Sequence, residues 1–243
     1  MRRNFIIISI FIIFLLTYIF LIDQKYSVFK HILENKYDNV VVVIDAGHGG
    51  FDPGKVGINN ILEKDINLNV AMKLKALLEF HDIKVIMTRE EDIDLTSSKK
   101  AIQDMKKEDL NNRLRIINTS DAVLVISIHQ NSFTQSSAKG AQVFYYEKSD
   151  KGRVLAEIIQ ECLKLTLNDN NHRLVKPNST YYLLKHSKPP LIIVECGFLS
   201  NRVEAELLSH DEYQNQIAWA IQLGVMEYLE AFHDMDQEQL IKK

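Results

Sequence analysis

The 243-residue chain is poor in cysteine, tryptophan, proline and glycine, and it carries no excess of positive charge. Its two cysteines, Cys162 and Cys196, give neither a disulfide framework nor a paired CxxC metal motif, and both are expected to be small buried hydrophobic residues. The formal net charge is -3 and no basic stripe interleaves with aromatic side chains, so nothing points to nucleic-acid binding. The sequence also lacks internal repeats and low-complexity segments.

The chain does contain one long apolar run near its start, Phe5 to Ile22. At about 1.5 Å per residue, a helix of this run spans roughly 27 Å, close to the hydrocarbon thickness of a bilayer. Arg2 and Arg3 precede the run, which favours a cytoplasmic N-terminus; the pair can also be read as a twin-arginine signal. Because residues 20–24 offer no small-residue cleavage site, an uncleaved membrane anchor is favoured over a cleaved signal peptide.

The rest of the chain is long enough for one ordinary domain, which can bury a core without disulfide bonds. We predict an anchor or signal segment with a spacer over residues 1–36 and one catalytic domain over residues 37–233. A polar tail over residues 234–243 is expected to fray.

Strand and helix patterns alternate along this domain. The predicted strands are Val40–Ile44, Ile83–Thr88, Ala122–Ile128, Gln142–Tyr146, Tyr181–Leu184 and Leu191–Val194. Helical spacing of apolar residues marks the segments around Leu74, Leu114, Ile159 and Ile221, and the polar stretches Asp94–Lys107 and Asn168–Thr180 are predicted as irregular. Continuous apolar strands are typical of sheets buried on both faces. The pattern predicts an α/β fold: a single three-layer domain with a mostly parallel, twisted sheet flanked by helices, preceded by an N-terminal hydrophobic helix.

Four polar residues interrupt this apolar pattern at related places. His48 lies just past the first strand, His129 and Glu195 directly follow two later strands, and Glu63 opens the first helix. Ligands of open α/β sheets bind beyond the carboxyl ends of the strands. One pocket is therefore expected to hold all four side chains.

The residue types suit a catalytic metal. Two imidazoles and one carboxylate form a common catalytic zinc set that leaves a coordination position for water. Zinc lowers the pKa of that water to about 7. A second carboxylate beside the metal can take the water's proton and pass it to a leaving amine, and Glu195 fits that role.

Each of these residues also has an ordinary structural interpretation. His48 can be a loop histidine, and His129 a hydrogen-bonded histidine at a strand end. Glu63 can serve the helix macrodipole, and Glu195 can pair with a lysine. The separation of His48 from Glu63 is not diagnostic, unlike an HExxH helix.

Four blocks of sequence resemble one known family in order. They are Val43–Gly50 with Asp52-Pro53-Gly54 and Glu63-Lys64, Leu110–Arg113 with Asn118, Ser127–Asn131, and Pro190–Asn201. Together they resemble the zinc-dependent N-acetylmuramoyl-L-alanine amidases of the Amidase_3 family, from about residue 40 to residue 230.

The resemblance implies a role for each candidate residue. By position, His48, Glu63 and His129 match the ligands of one Zn2+ ion, and Glu195 matches the catalytic glutamate. The implied substrate is peptidoglycan, cut at the amide between the muramic acid lactyl group and L-alanine. Two positions depart from the family pattern, Gln130 and Cys196, where smaller or aliphatic residues are usual, and both can alter the pocket lining. The stretch from Phe133 to Gly140 is too short for the autoinhibitory helix of some relatives.

A single anchored catalytic domain without wall-binding repeats is similar to the germination-specific, CwlD-type amidases of endospore formers. This likeness implies a part in spore cortex maturation through muramic-δ-lactam formation, although the vegetative wall stays open as the substrate. It implies an extracytoplasmic location, membrane-anchored or secreted if the segment is cleaved, and a possible accessory protein for activation. Another zinc hydrolase of the wall, a carboxypeptidase or deacetylase, and a non-catalytic wall-binding protein remain the alternatives.

Several other residues carry secondary hypotheses. Asp45 is a candidate to orient His48, or else a turn residue. Arg113 is expected to form a structural ion pair rather than to contact wall peptide. Cys196 is disfavoured as a nucleophile because no histidine pairs with it in the sequence pattern. The remaining histidines, His81, His172, His186, His210 and His233, are mostly expected to be solvated.

Overall fold

A computed structural model of the chain describes residues 15–25, 37, 39–97, 101–167 and 170–241, with side chains described as far as residue 231. The chain divides into two compact units, residues 1–39 and 40–243. Residues 15–25 are helical, whereas most of the predicted apolar anchor, residues 5–14, lies outside the described residues. Within the described ranges, no helix combines the length and apolar character needed to cross a bilayer.

Six strands form one sheet in the second unit. They are β1 (Val41–Ala46), β2 (Lys84–Met87), β3 (Leu124–Asn131), β4 (Gln142–Tyr146), β5 (Lys176–Asn178) and β6 (Leu191–Phe198). Their order across the sheet is β2-β1-β3-β6-β4-β5. The first four in that order are mutually parallel, β4 runs antiparallel to β6, and β5 runs parallel to β4. The sheet is mostly parallel, as predicted.

Helices cover both faces of this sheet. They are α1 (Glu63–Glu79), α2 (Ile102–Thr119), α3 (Asp150–Leu167), α4 (Tyr182–His186), α5 (Arg202–Ser209) and α6 (Asp211–Ile241). Helix α6 packs against both α1 and α3 on one face, while α2 and α4 contact each other on the opposite face. The predicted three-layer α/β architecture is confirmed.

Local sequence explains why these elements form. All six residues of β1 are buried, and four of them are Val or Ile, which pack well on a sheet covered from both sides. α3 buries Leu155, Ile159 and Leu163 at helical spacing. α5 begins at an asparagine cap, since the Asn201 side chain accepts hydrogen bonds from the N–H groups of Val203 and Glu204.

The face beneath α2 and α4 changes character along the strands. Its apolar cluster includes Val125 of β3, Ile193 of β6 and Ile117 of α2. Because side chains alternate between faces along a strand, His129 lies on the face of Val125, and Glu195 lies on the face of Ile193. The apolar core therefore gives way to polar side chains toward the carboxyl ends of the central strands.

Three local predictions were wrong. The segment Tyr181–Leu184 was expected to be a strand, but it forms the short helix α4. The polar stretch Asn168–Thr180 contains β5, an edge strand whose Pro177 is tolerated because β5 pairs only with β4. The stretch Asp94–Lys107 contains the first turns of α2.

Two central strands are longer than predicted. β3 runs to Asn131 and β6 runs to Phe198, so His129 and Glu195 lie within their strands rather than after them. These two residues are paired neighbours in the parallel register of β3 and β6. The extra length brings both side chains to the same level of the sheet.

Candidate metal centre

Glu63 lies at the centre of the site. It is the first residue of α1, and its side chain is 3% exposed. Its Oε1 accepts a hydrogen bond from the backbone N–H of Gln130 at 3.1 Å, and its Oε2 accepts one from the N–H of Lys55 at 2.7 Å. Two backbone donors from separate segments therefore fix the carboxylate before any ligand binds.

Two imidazoles converge on this carboxylate. His129 Nδ1 lies 3.0 Å from Glu63 Oε1, and His48 Nε2 lies 3.2 Å from the same oxygen. One ligand atom from each of the three residues lies within 4.8 Å of the others, and the two rings meet edge-on with centroids 5.0 Å apart. The structure thus brings together the three residues that the sequence analysis nominated as metal ligands, and the group could hold a metal ion.

Asp52 orients His48. Its Oδ2 accepts a hydrogen bond from His48 Nδ1 at 2.8 Å, and its other oxygen pairs with Lys106 at 2.9 Å. An imidazole that donates Nδ1–H to a carboxylate presents Nε2 as the free ligand atom, which is the nitrogen that faces Glu63. The sequence pattern suggests Asp45 as a candidate for this role, with a turn residue as the alternative.

Asp45 and Arg113 belong to a buried network behind the site. Asp45 accepts hydrogen bonds from Ser127 at 2.6 Å, Thr88 at 2.8 Å and Arg113 at 2.8 Å. Arg113 also pairs with Asp109 at 2.6 Å and donates to the backbone carbonyl of His48 at 2.6 Å. The expectation of a structural ion pair for Arg113 is confirmed, whereas the hypothesis that Asp45 orients the His48 ring is wrong.

Glu195 lies beside this group without belonging to it. It is the register partner of His129 on β3 and of Gln142 on β4. Among the described residues, its Oε2 atom is buried and has no hydrogen-bond partner. Burial raises the pKa of Glu195 to about 7, with Glu63 adding to the rise and His129 and His48 opposing it. A carboxyl group with this pKa and an open oxygen can both accept and donate a proton near neutrality.

The charges of the group suit a cation. Burial lowers the pKa of His48, but hydrogen bonds to Asp52 and Glu63 outweigh it and raise the value to about 9. Burial raises the pKa of Glu63, but hydrogen bonds from His129 and His48 hold it far below its ordinary range. Carboxylates that stabilise a proton here stabilise a divalent cation in the same way, so metal binding and proton release are coupled.

Two glycines leave room for the ligand side chains. A Cβ added at Gly47 would lie 2.3 Å from His129 Cε1. Gly54 has a φ of +68°, and a Cβ there would lie 2.6 Å from Glu63 Oε2 and 2.7 Å from His48 Cδ2. The glycine-rich loop after β1 is therefore shaped around the metal-ligand candidates.

One cavity of about 410 Å³ contains all four side chains. Its remaining walls include Leu110 of α2, Ile193 of β6 and the two tyrosines at the start of α4, Tyr181 and Tyr182. The tyrosines were not singled out from the sequence because their segment was predicted as a strand. The Amidase_3 family model, described as N-acetylmuramoyl-L-alanine amidase, matches residues 42–227, which include the whole of this cavity.

The chain belongs to the N-acetylmuramoyl-L-alanine amidase family. The germination-specific N-acetylmuramoyl-L-alanine amidase of Bacillus subtilis (strain 168) is 37% identical over 226 residues, which cover 93% of each protein. The structure of the CwlD amidase from Clostridioides difficile, solved in complex with the GerS lipoprotein, is 43% identical with a TM-score of 0.78. It covers 79% of this chain and 100% of that one. N-acetylmuramoyl-L-alanine amidase AmiC2 of Nostoc punctiforme is 32% identical with a TM-score of 0.69, over 79% of this chain and 97% of that one.

Family membership makes this chain a peptidoglycan hydrolase. The reaction of an N-acetylmuramoyl-L-alanine amidase cuts the amide that joins the glycan strand to the first residue of the stem peptide. The resemblance stated from the four sequence blocks is thereby confirmed, both for the family and for the germination-specific relatives.

The other candidate residues of the amidase can now be placed. Gln130 lines the cavity, whereas Cys196 does not belong to its lining and is fully buried. Burial raises the pKa of Cys196 well above its ordinary range, which agrees with excluding it as a nucleophile. His172, His186 and His210 are exposed, as expected; the side chain of His233 lies outside the described residues.

Proposed function

We propose that this amidase binds one Zn2+ ion through His48, Glu63 and His129, and that Glu195 is its catalytic acid and base. One observation carries the proposal: three ligand atoms lie within 4.8 Å of one another beside a buried carboxylate oxygen that lacks a hydrogen-bond partner in the described chain. Two histidines and a glutamate match a common catalytic zinc set, and Asp52 supplies the carboxylate partner that zinc-bound histidines usually have.

When bound, zinc lowers the pKa of a water molecule to about 7 and polarises a carbonyl. The rest of the chemistry belongs to the chain's own residues. Glu195 accepts the proton of the attacking water at its open Oε2 atom. It then donates that proton to the nitrogen of L-alanine as the bond between the lactyl carbonyl carbon and that nitrogen breaks. Tyr181 and Tyr182 line the same cavity and are proposed to narrow the access of bulk water.

The physiological substrate is proposed to be the spore cortex, in which removal of the stem peptide prepares muramic acid for δ-lactam formation. The germination-specific relative of Bacillus subtilis supports this assignment. We further propose an extracytoplasmic location through the N-terminal apolar run, and regulation by an accessory protein. Regulation by an accessory protein is supported by the complex of the Clostridioides difficile CwlD amidase with the GerS lipoprotein.

The deciding experiment digests purified muropeptides with the full-length chain in detergent, with and without a chelator. Mass spectrometry should find intact stem peptides with a free L-alanine amine, and chelation should abolish them until zinc is restored. Release of D-alanine would instead indicate a carboxypeptidase, and release of acetate a deacetylase. Adding a candidate lipoprotein partner to the same reaction tests whether the rate depends on it.

Replacement of Glu195 separates its role from that of the ligands. Glu195→Gln should bind one zinc ion per chain but lose activity by roughly 10²- to 10⁴-fold, the usual contribution of general acid–base catalysis. The exposed glutamate at the end of β4 provides the matched control, since Glu147→Gln changes the same group outside the cavity. Full activity of Glu195→Gln would overturn the assigned role, and loss of zinc in that variant would make Glu195 a ligand instead.

A further inference from the structure

A second groove lies next to the catalytic cavity. It has a volume of about 590 Å³, and Asn131 and Tyr181 line both spaces. We call it the β5 groove; its other walls include Phe144, Arg173, Lys176 and Phe198. Because the two spaces share these walls they are neighbours, so the β5 groove is within reach of a substrate bound at Glu195.

Two cations in this groove are held by aromatic rings rather than by acids. The guanidinium carbon of Arg173 lies 4.5 Å from the centre of the Phe198 ring, and Lys176 Nζ lies 5.6 Å from the centre of the Phe144 ring. Arg173 is also tied to the protein by hydrogen bonds, from Nε to the Lys139 carbonyl at 2.6 Å and from Nη1 to Gln142 Oε1 at 3.1 Å. These contacts fix its position, and none of the described residues bonds its Nη2.

The charge of the groove is not neutralised locally. Within the described ranges, neither Arg173 nor Lys176 forms an ion pair, and no aspartate or glutamate lines the groove. Positioned cations without an acidic partner are the usual way in which proteins bind carboxylates. The groove is therefore suited to an anionic segment of substrate.

The strand register sets the distance from the reaction. Gln142 pairs with Glu195 across β4 and β6, and Phe144 pairs with Lys176 across β4 and β5. Two strand spacings of roughly 5 Å across the sheet and two residues of roughly 3.3 Å along it separate Glu195 from Lys176 by about 12 Å. An extended peptide covers that distance in roughly three to four residues, at ~3.3–3.6 Å each.

We propose that the β5 groove binds free carboxylates on the second and third residues of the stem peptide, and that Arg173 and Lys176 make the amidase selective for stems that keep these carboxylates unamidated. The inference rests on the proposed function, because it assumes that the amide to L-alanine is cut beside Glu195. It assigns the L-alanine side of the substrate to this groove and the glycan side to the remainder of the catalytic cavity.

The test uses two muramoyl tripeptides that differ only in whether the carboxylates of residues two and three are free or amidated. The full-length, zinc-loaded enzyme should cut the free form with kcat/KM about tenfold higher or more, in the range of a charge-assisted hydrogen bond. The double variant Arg173→Gln/Lys176→Gln should lose this preference through a rise in KM for the free form. Its kcat and its turnover of the amidated form should stay within about twofold of wild type.

Controls separate charge in the groove from charge elsewhere. Arg153 of α3 and Lys84 of β2 are exposed residues outside the groove. The double variant Arg153→Gln/Lys84→Gln therefore removes one arginine charge and one lysine charge, as the groove variant does, and leaves the groove unchanged. That control should keep the preference.

The outcomes distinguish the two proposals. If the wild-type enzyme cuts neither tripeptide, even with the candidate lipoprotein partner added, the proposed function fails. If it cuts both forms equally well, the groove inference fails while the amidase mechanism stands; this comparison needs no variant, so it does not depend on how the variants fold. If the groove double variant keeps the wild-type preference, Arg173 and Lys176 are not the selective residues.

Discussion

His48 is fixed through the ring nitrogen that points away from Glu63. Asp52 accepts the Nδ1 proton and is itself held by Lys106, so the free Nε2 atom is preset for a metal. Loss of such a partner usually weakens metal binding by roughly 10- to 100-fold. We therefore expect Asp52→Ala to raise the zinc dissociation constant by that factor, as measured by competition with a chromophoric chelator. Asp65→Ala, an exposed carboxylate on α1, is the matched control, and zinc binding as tight as wild type in Asp52→Ala would contradict the orienting role.

Gly47 lies directly against the His129 ring, which leads to a second prediction for a single residue. The space that a side chain would need there is filled by the His129 ring, since an added Cβ would lie only 2.3 Å from ring atoms. Gly47→Ala should displace the ring, destabilise the fold by about 1–3 kcal/mol as overpacking does, and lower the zinc content. Urea unfolding and metal analysis measure both effects. At Gly57 the nearest atom would lie at 3.1 Å, so Gly57→Ala should be milder; equal zinc content in Gly47→Ala and wild type would show that the ring is free to move.

The grouping of the four candidate residues is easier to predict from the sequence than the residues that support them. A histidine or glutamate that follows an apolar strand is visible as a break in the pattern, and three such breaks share one edge of the sheet. The role of Asp52 depends instead on a loop in which His48, Gly49 and Gly50 all have positive φ. No periodicity describes that loop, so spacing alone could not identify Asp52 as the partner of His48.

At the scale of elements, β1 and α2 are tied by the buried pair of Asp45 and Arg113. Burial alone would raise the pKa of Asp45. The charge of Arg113 and the hydrogen bond from Ser127 lower it by a larger amount, so the pKa is about 2 instead of the ordinary 3.8. The folded pKa is depressed, so the stabilising contribution is present above pH 3.8 and is lost as pH falls through about 2. The shift corresponds to roughly 2 kcal/mol.

This shift predicts a pH-dependent difference between two proteins. The side chain introduced in the Asp45→Asn variant cannot ionise, so only wild type loses this contribution on acidification. The difference in free energy of unfolding between wild type and Asp45→Asn should therefore shrink by about 2 kcal/mol between pH 5 and pH 2. Urea unfolding of both proteins in chelator, which removes any contribution of metal, gives the measurement. A difference that stays constant over this range would mean that Asp45 titrates alike in the folded and unfolded chains.

The element that sequence reasoning misassigned also has a physical explanation. Tyr181 and Tyr182 favour strands by propensity, but Leu183 and Leu184 are both buried, and adjacent buried positions do not fit a strand with one covered face. A segment of five residues is too short for periodicity to separate helix from strand. Its contact with α2 and the sheet, rather than its own propensity, makes α4 a helix and places the tyrosines over the cavity.

For the whole molecule, the alternation of apolar strands and amphipathic helices was enough to predict three layers. The strand order was not predictable, because β4 and β5 reverse direction and pair at the edge by contacts remote in sequence. That order matters for function: it puts β3 and β6 side by side, with His129 opposite Glu195, and it creates the β5 groove next to them.

A metal held by α1, β3 and the loop after β1 ties together three distant parts of the chain, so it should stabilise the entire fold. A ligand present at about 100 times its dissociation constant adds about 2.7 kcal/mol if it binds only the folded state. For a domain of roughly 150–250 residues this raises the melting temperature by about 5–10 °C, at ~2–4 °C per kcal/mol. Differential scanning calorimetry of the full-length chain with zinc and with chelator should show this rise.

Glu195→Gln should show it too, because Glu195 lies beside the ligand group and not in it. His129→Ala should not, since two of the three ligands cannot hold zinc as tightly. An identical melting temperature with and without zinc in wild type, or a full rise in His129→Ala, would contradict the ligand set.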